Sequence, residues 1–215
     1  MQDGLFALIR LDLIFETISG IIALIVTIYA TKAYNLTGQK KLSDLSTGFL
    51  VLSAGMFGRV IGTWYFIVQY GIEGPSSNLI FSIVTIAYGA SRIMAYILFV
   101  IATRPARHRE LMNNENLNGS GLSLLLAATI LVDPNLEVIA ILVLVVVVIQ
   151  AVINYMSTRS SLAFFVLLGF FLILLSHILV AQTLANPGMY LSSQLAQLLG
   201  FLSLLVMLVK AGKEE

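Results

Sequence analysis

The chain has 215 residues, of which 59% are hydrophobic and only 11% are charged, and its mean hydropathy is +0.96. A soluble domain carries about a quarter charged residues, so this composition indicates a membrane protein. The formal net charge of +1 and the lack of a basic stripe argue against nucleic acid as a partner. The absence of cysteine excludes disulfides, cysteine-ligated metals and thiol catalysis.

Seven apolar runs of membrane-spanning character follow one another along the chain. A helix needs about 20 residues to cross a bilayer, and the fourth run is the weakest, since its strongly apolar part covers only 122–132. The first run lacks a basic leader and a small-residue cleavage site, so we expect a retained helix rather than a signal peptide. The predicted helices cover residues 11–34, 43–70, 77–103, 118–132, 136–157, 160–185 and 189–210.

The charges of the predicted loops alternate in sign. The loop after the second predicted helix carries Glu73, and Asp133 and Glu137 follow the fourth. The loops after the first, third and fifth predicted helices and the C-terminal tail are basic. Because cytoplasmic loops collect Lys and Arg, the pattern predicts seven crossings with the N-terminus outside and the C-terminus inside; Arg10 alone does not fit. The basic residues of the pattern are Lys32, Lys40, Lys41, Arg104, Arg107, Arg109, Arg159, Lys210 and Lys213.

An internal repeat favours the same layout. A shift of 121 positions gives nine identities in the 41 positions from residue 16 to residue 56. We therefore predict a single integral membrane domain over 1–215, with parallel repeats over about 11–103 and 136–210 and the fourth helix as the linker between them. The most informative matches are Glu16 with Glu137, Tyr34 with Tyr155, Thr37 with Thr158, Gly48-Phe49 with Gly169-Phe170 and, with a shorter loop, Gly89 with Gly200.

Two arginines, Arg59 and Arg92, lie inside these apolar runs. A charge at bilayer depth costs about 2.5–3.5 kcal/mol on insertion scales, so both need compensation. Gly55 and Gly62 share a helix face with Arg59, and small residues let helices approach closely, so Arg59 is predicted to face protein. At 1.5 Å rise per residue, one polar cluster is predicted in the outer half of the bundle: Glu16, Arg59, Trp64, Tyr88, Arg92, His177, Gln194 and Gln197.

This predicted polar cluster has two interpretations. Glu16 and one arginine can form an internal ion pair that fixes the fold. Alternatively, two arginines against one nearby glutamate leave an excess positive charge, which an anionic or strongly polar ligand could neutralise.

His177 has three interpretations. A histidine on an apolar helix beside Ser176 is typical of a hydrogen-bonded interior residue. It could also be a haem or quinone ligand, because the repeat places Met56 opposite it and His/Met is a known axial pair. A pH-responsive switch is the third.

The seven-helix layout with an outside N-terminus resembles those of microbial rhodopsins and SWEET-type sugar transporters, in topology alone and over most of the chain. A rhodopsin-like protein needs a Schiff-base lysine in helix seven, which here has none before Lys210. SWEET-related proteins carry Pro-Gln pairs in helices one and five, and this chain has none. The strings at 33–38 and 48–50 are similar to those of prokaryotic seven-helix proteins, a resemblance that implies no activity.

The sequence therefore predicts an all-α, polytopic, seven-helix bundle in the cell membrane, with a 3+1+3 parallel repeat. The function we expect is non-enzymatic: a receptor-like or accessory subunit without a cofactor, which binds a small anionic or polar molecule and acts with a partner membrane subunit. One alternative is a small-solute transporter. The other is a subunit of a membrane redox complex that holds haem or quinone at His177.

Overall fold

The computed structural model describes the backbone of residues 2–73, 78–104, 136–183 and 188–211, and within them the side chains of 11–65, 82–104, 136–183 and 188–211. All regular secondary structure in these ranges is helical. The predicted fourth helix, 118–132, lies outside the described residues. The helices are α1 (Gln2–Thr37), α2 (Lys40–Glu73), α3 (Asn78–Thr103), α4 (Leu136–Thr158), α5 (Ser161–Ala181) and α6 (Met189–Ala211).

Each of these six helices contains an apolar stretch of 21 to 27 residues that is long enough to cross a membrane. Large apolar side chains cover the outside of the bundle; Leu142 and Ile61, for example, are 62% and 68% exposed. Such a surface is unfavourable in water but matches hydrocarbon. The prediction of an all-helical, multi-pass membrane protein is confirmed. Most helix ends agree with the predicted ends within a few residues, but α1 begins nine residues earlier than expected.

The six helices form a closed ring in chain order. Each packs mainly against the helices before and after it, and α6 closes the ring against α1. Asp12 and Tyr190 mark one end, called the proximal end, and Thr37 and Lys210 mark the other, called the distal end. The depth of each group inside the ring is described by its position between these two ends.

Helices α3 and α4 are adjacent and parallel. Towards the proximal end, Arg92 pairs with Glu137, their nearest atoms 3.3 Å apart. Towards the distal end, Thr103 Oγ1 donates to Gln150 at 2.7 Å, and Asn154 donates to the Thr103 carbonyl at 2.8 Å. The closing pair, α6 and α1, is parallel as well, and the other four neighbouring pairs are antiparallel. Helices α1–α3 and α4–α6 therefore run in the same three directions.

Two tight turns of the same kind lie at the distal end. Gly38 follows α1 with φ of 66°, and Arg159 follows α4 with φ of 52°. The backbone N–H of each donates to the carbonyl four residues earlier, that of Tyr34 and of Tyr155, both at 2.8 Å. Left-handed backbone is uncommon for residues other than glycine. The turn at Arg159 is therefore more strained than the same turn at Gly38.

Four phenylalanines fill the ring on the distal side of its middle. Phe49, Phe99, Phe170 and Phe201, called the aromatic cluster, are all 0% exposed and come from four different helices. Ring centroids are 4.6 Å apart for Phe49–Phe99, 5.3 Å for Phe99–Phe170 and 6.2 Å for Phe49–Phe201. Such tilted and edge contacts are the preferred aromatic geometries. The aromatic cluster therefore fills the ring interior on the distal side of the polar groups.

Candidate functional site

A polar cavity of about 550 Å³ occupies the proximal half of the ring. Every one of the six helices contributes to its wall, and the aromatic cluster lies deeper. On these four helices the phenylalanine lies about one to three turns beyond the nearest cavity residue, so the aromatic cluster forms the floor of the cavity. Its lining residues are Asp12, Arg59, Thr63, Thr85, Tyr88, Gly89, Arg92, Leu136, Glu137, Ser176, His177, Val180, Tyr190, Gln194 and Gln197.

The first charged group of the cavity joins α1, α2 and α6. Arg59 Nη2 hydrogen bonds to Asp12 at 2.8 Å, and Arg59 Nη1 lies 3.0 Å from Glu16. Asp12 also accepts hydrogen bonds from the Tyr190 hydroxyl and, at 3.1 Å, from the Gln194 amide. The Asp12 carboxylate and the Arg59 guanidinium thus link three helices. Their hydrogen bonds are charge-assisted and therefore stronger than hydrogen bonds between neutral groups.

The second charged group joins α3, α4 and α5. Arg92 Nη2 lies 3.3 Å from Glu137 and 2.9 Å from His177 Nε2. The Tyr96 hydroxyl meets the same Nε2 at 2.6 Å, and His177 Nδ1 contacts Glu137. Arg92 Nη2 also lies 2.5 Å from His177 Nδ1. Since a guanidinium only donates, the imidazole accepts from Arg92, and His177 is assigned as neutral.

Both ring nitrogens of His177 are thus used inside the protein, and its side chain is 1% exposed. An axial haem ligand needs a free ring nitrogen, so this arrangement does not favour haem at His177. The geometry is that of a hydrogen-bonded interior histidine. Among the described residues, no group of three or more His, Asp or Glu side chains is arranged to hold a metal ion.

Tyr88 connects the two charged groups. The guanidinium carbon of Arg59 lies 5.0 Å from the centroid of its ring, and that of Arg92 lies 5.1 Å away. Both distances are within the range of cation–π attraction. The Tyr88 ring therefore lies between the two positive charges and attracts both of them.

The charge balance differs from the one expected from the sequence. Two arginines meet three carboxyl groups, those of Asp12, Glu16 and Glu137, rather than one. Asp12 lies one turn before Glu16 and shares its face. Glu137 was counted among the loop charges although it lies within the predicted helix 136–157; it is in the first turn of α4 and pairs with Arg92. Its repeat match with Glu16 was the sequence signal that could have placed it.

Glu16 differs from the other two carboxyl groups. Its side chain is 2% exposed, yet neither of its oxygens accepts a hydrogen bond of normal geometry, and the nearby Ser19 hydroxyl, fully buried, also has no partner. Arg59 is the nearest compensating charge, and it already hydrogen bonds to Asp12. Glu16 is therefore compensated mainly by the charge of Arg59, 3.0 Å away.

Six of the eight residues in the predicted polar cluster line the cavity. Glu16 lies behind the cavity wall, against Arg59. Trp64 is separate: it is 63% exposed and lines a groove of about 610 Å³ on the outer face of α1 and α2. Sequence reasoning missed the roles of Tyr96 and Tyr190 as partners of His177 and Asp12. The six are Arg59, Tyr88, Arg92, His177, Gln194 and Gln197.

Comparison with known proteins gives no match. No protein-family model matches the sequence, and neither a curated protein nor a solved structure shows significant similarity to it. The function must therefore be argued from the geometry of the cavity.

Proposed function

We propose that this chain is a non-enzymatic membrane protein that binds a small polar molecule in the polar cavity, as a receptor-like or accessory subunit of the cell membrane. The observation that carries the proposal is a charged cavity lined by all six helices and closed by the aromatic cluster. Its volume of about 550 Å³ falls within the ~300–1,000 Å³ typical of small-molecule pockets. The charged side chains pair with one another, so they form a fixed polar wall.

The wider layout that we propose has seven crossings and a 3+1+3 repeat. Parallel neighbours such as α3 and α4 need a connection that returns over the length of the ring, which supports a crossing within residues 105–135. The turns at Gly38 and Arg159 are 121 positions apart, and α2 and α5 begin 121 positions apart, at Lys40 and Ser161. The positive-inside pattern supports a proximal end that faces outside and a distal end that faces the cytoplasm.

Binding is tested by filling the cavity. Val180 lines its wall, so Val180→Trp should occupy much of its volume. The wild-type protein, purified in detergent, is heated with a panel of small polar metabolites. A ligand at 100 times its Kd stabilises the folded state by about 2.7 kcal/mol, and we expect at least one compound to raise the melting temperature of the wild-type protein but not that of V180W.

The matched control is Val206→Trp, which adds the same side chain on the outer face of α6, where Val206 is 46% exposed. V206W should respond to the ligand as the wild-type protein does. The proposal is wrong if no compound in the panel shifts the wild-type melting temperature, or if V180W responds equally.

A transporter is the second candidate, and the ring itself supports it. Parallel repeats related by an axis along the membrane normal are a known transporter architecture, with the site between them. Transport would require the aromatic cluster to open towards the distal end. Uptake of the ligand into proteoliposomes, lost in Arg59→Ala, would favour transport over binding alone.

A further inference from the structure

Among the side chains that the structure describes, those of the polar cavity and its wall carry one negative charge more than positive charges. Among the described side chains, the carboxylates of Asp12, Glu16 and Glu137 face the guanidinium groups of Arg59 and Arg92. His177 counts as neutral, because its imidazole accepts from the Arg92 guanidinium group. Tyr96 and Tyr190 take part through neutral hydroxyl groups. Tyr88 faces both guanidinium groups with its neutral ring. The charges therefore sum to minus one.

We propose that the ligand of the cavity carries an ammonium or similar organic cation; this rests on the proposed binding function. Neither arginine needs an anion, since Arg59 hydrogen bonds to Asp12 at 2.8 Å and Arg92 lies 3.3 Å from Glu137. A bound anion would raise the excess negative charge to two in a site that hydrocarbon surrounds. A bound cation brings the sum to zero.

The cavity wall also offers oxygens that are not used inside the protein. Thr63 and Gln197 both line the cavity. Neither side chain hydrogen bonds to another side chain or backbone group that the structure describes. A hydroxyl and an amide carbonyl can each accept from an ammonium group. These two residues, one from α2 and one from α6, are the contacts we expect for the charged end of the ligand.

Glu16 supplies the excess charge without touching the ligand. It does not line the cavity, and its carboxylate accepts no hydrogen bond of normal geometry. At an effective dielectric constant of 20, a unit charge about 10 Å away changes a binding constant by roughly tenfold or slightly more. Glu16 should thus act through its field, as a residue that sets specificity for charge.

Three probes of matched size and different charge test the proposal: phenethylamine as an ammonium, 2-phenylethanol as a neutral molecule and 3-phenylpropanoate as an anion. Their affinities for the purified full-length protein are measured by calorimetry at pH 7. We expect the ammonium probe to bind at least tenfold more tightly than the other two. Glu16→Gln should reduce this preference about tenfold, because it removes the charge and keeps the shape.

Val180→Lys is the second variant, because it adds a positive charge at the cavity wall and leaves every described ion pair in place. It should reduce the ammonium preference in the same direction, which keeps the test decisive if E16Q does not fold. Ser19→Ala is the matched control, since it changes the buried surroundings of Glu16 without changing charge, and its preference should equal that of the wild-type protein.

The outcomes separate this inference from the proposed function. Tighter binding of the anion, or equal binding of the ammonium and neutral probes, overturns the cationic ligand and leaves a binding cavity. Equal binding is also the result expected if a proton already neutralises the third carboxyl group. If no probe binds, and no metabolite shifts the melting temperature, the cationic ligand and the binding function are both wrong.

Discussion

Arg92 is a residue whose charge is satisfied from within the protein. Glu137, His177 and Tyr96 surround its guanidinium group, and Tyr88 covers one side of it. The Arg92 side chain is 16% exposed to solvent, and the Glu137 side chain is 22% exposed. Of the two interpretations of the predicted polar cluster, internal pairing therefore describes Arg92 well, and the cavity wall is built from such pairs.

Removal of either member of the Arg92–Glu137 pair should destabilise the fold. Arg92→Leu leaves the Glu137 carboxylate without its cation, and Glu137→Leu leaves the guanidinium without its anion. A fully buried pair broken in this way loses about 3–5 kcal/mol; with the residual exposure here we expect about 2–3 kcal/mol for each single variant. Unfolding in mixtures of SDS and dodecyl maltoside measures the change in free energy.

The double variant R92L/E137L should be less destabilised than the sum of the two single variants by at least about 1 kcal/mol, because no charge is left unpaired. Lys32→Leu, which removes an exposed cation, is the control and should change stability by no more than about 0.5 kcal/mol. Simple additivity in the double variant would contradict the pairing.

Glycine contacts set the distances between helices. A Cβ atom on Gly200 would lie 2.9 Å from the Gly169 carbonyl oxygen and 2.8 Å from Ile173 Cγ1, so α5 and α6 pack with their backbones close together. Gly55 and Gly62 bring α2 against Ser91 and Val84 of α3 in the same way, as their spacing predicted. Helix ends followed from local hydropathy and turn residues. The close contact of Gly169 with Gly200 did not, since it depends on which helices are neighbours.

Two alanine substitutions at glycines on different helices should therefore differ in sign. Gly200→Ala has to displace backbone atoms, and overpacking of this kind costs about 1–3 kcal/mol. Gly58→Ala meets nothing within 4 Å, so the higher helix propensity of alanine should leave stability unchanged or raise it by up to about 1 kcal/mol. Melting temperatures of both variants in the same detergent compare them directly; equal effects would contradict the close α5–α6 contact.

At the scale of the whole molecule, the six described helices form a ring in which two groups of three helices run in the same directions. Between them, the chain leaves α3 at the distal end and enters α4 near the proximal end, next to Arg92. This arrangement predicts on which side of the membrane each helix end lies, and that can be measured. The chain contains no cysteine, so single-cysteine variants can be labelled without background.

Labelling of Lys40→Cys, Thr158→Cys and Met189→Cys with a membrane-impermeant maleimide tests the proposed topology. Lys40 and Thr158 lie at the distal ends of the two groups and Met189 at the proximal end. In intact cells we expect M189C to be labelled and K40C and T158C to be labelled only after the cells are lysed. Labelling of K40C and T158C from opposite sides of the membrane would contradict the seven-crossing layout.

By itself, the sequence determined the membrane class, the positions of the six described helices and the shared depth of the polar residues. These properties follow from runs of neighbouring residues, because hydropathy and helical rise act locally. The tertiary structure decided which groups meet. It brought together Asp12 and Tyr190, 178 positions apart, and Arg92 and Glu137, 45 apart, and it placed Trp64 outside the cavity. The physical reason is that an ion pair depends on which helices are neighbours in the ring, and close packing between helices sets that order.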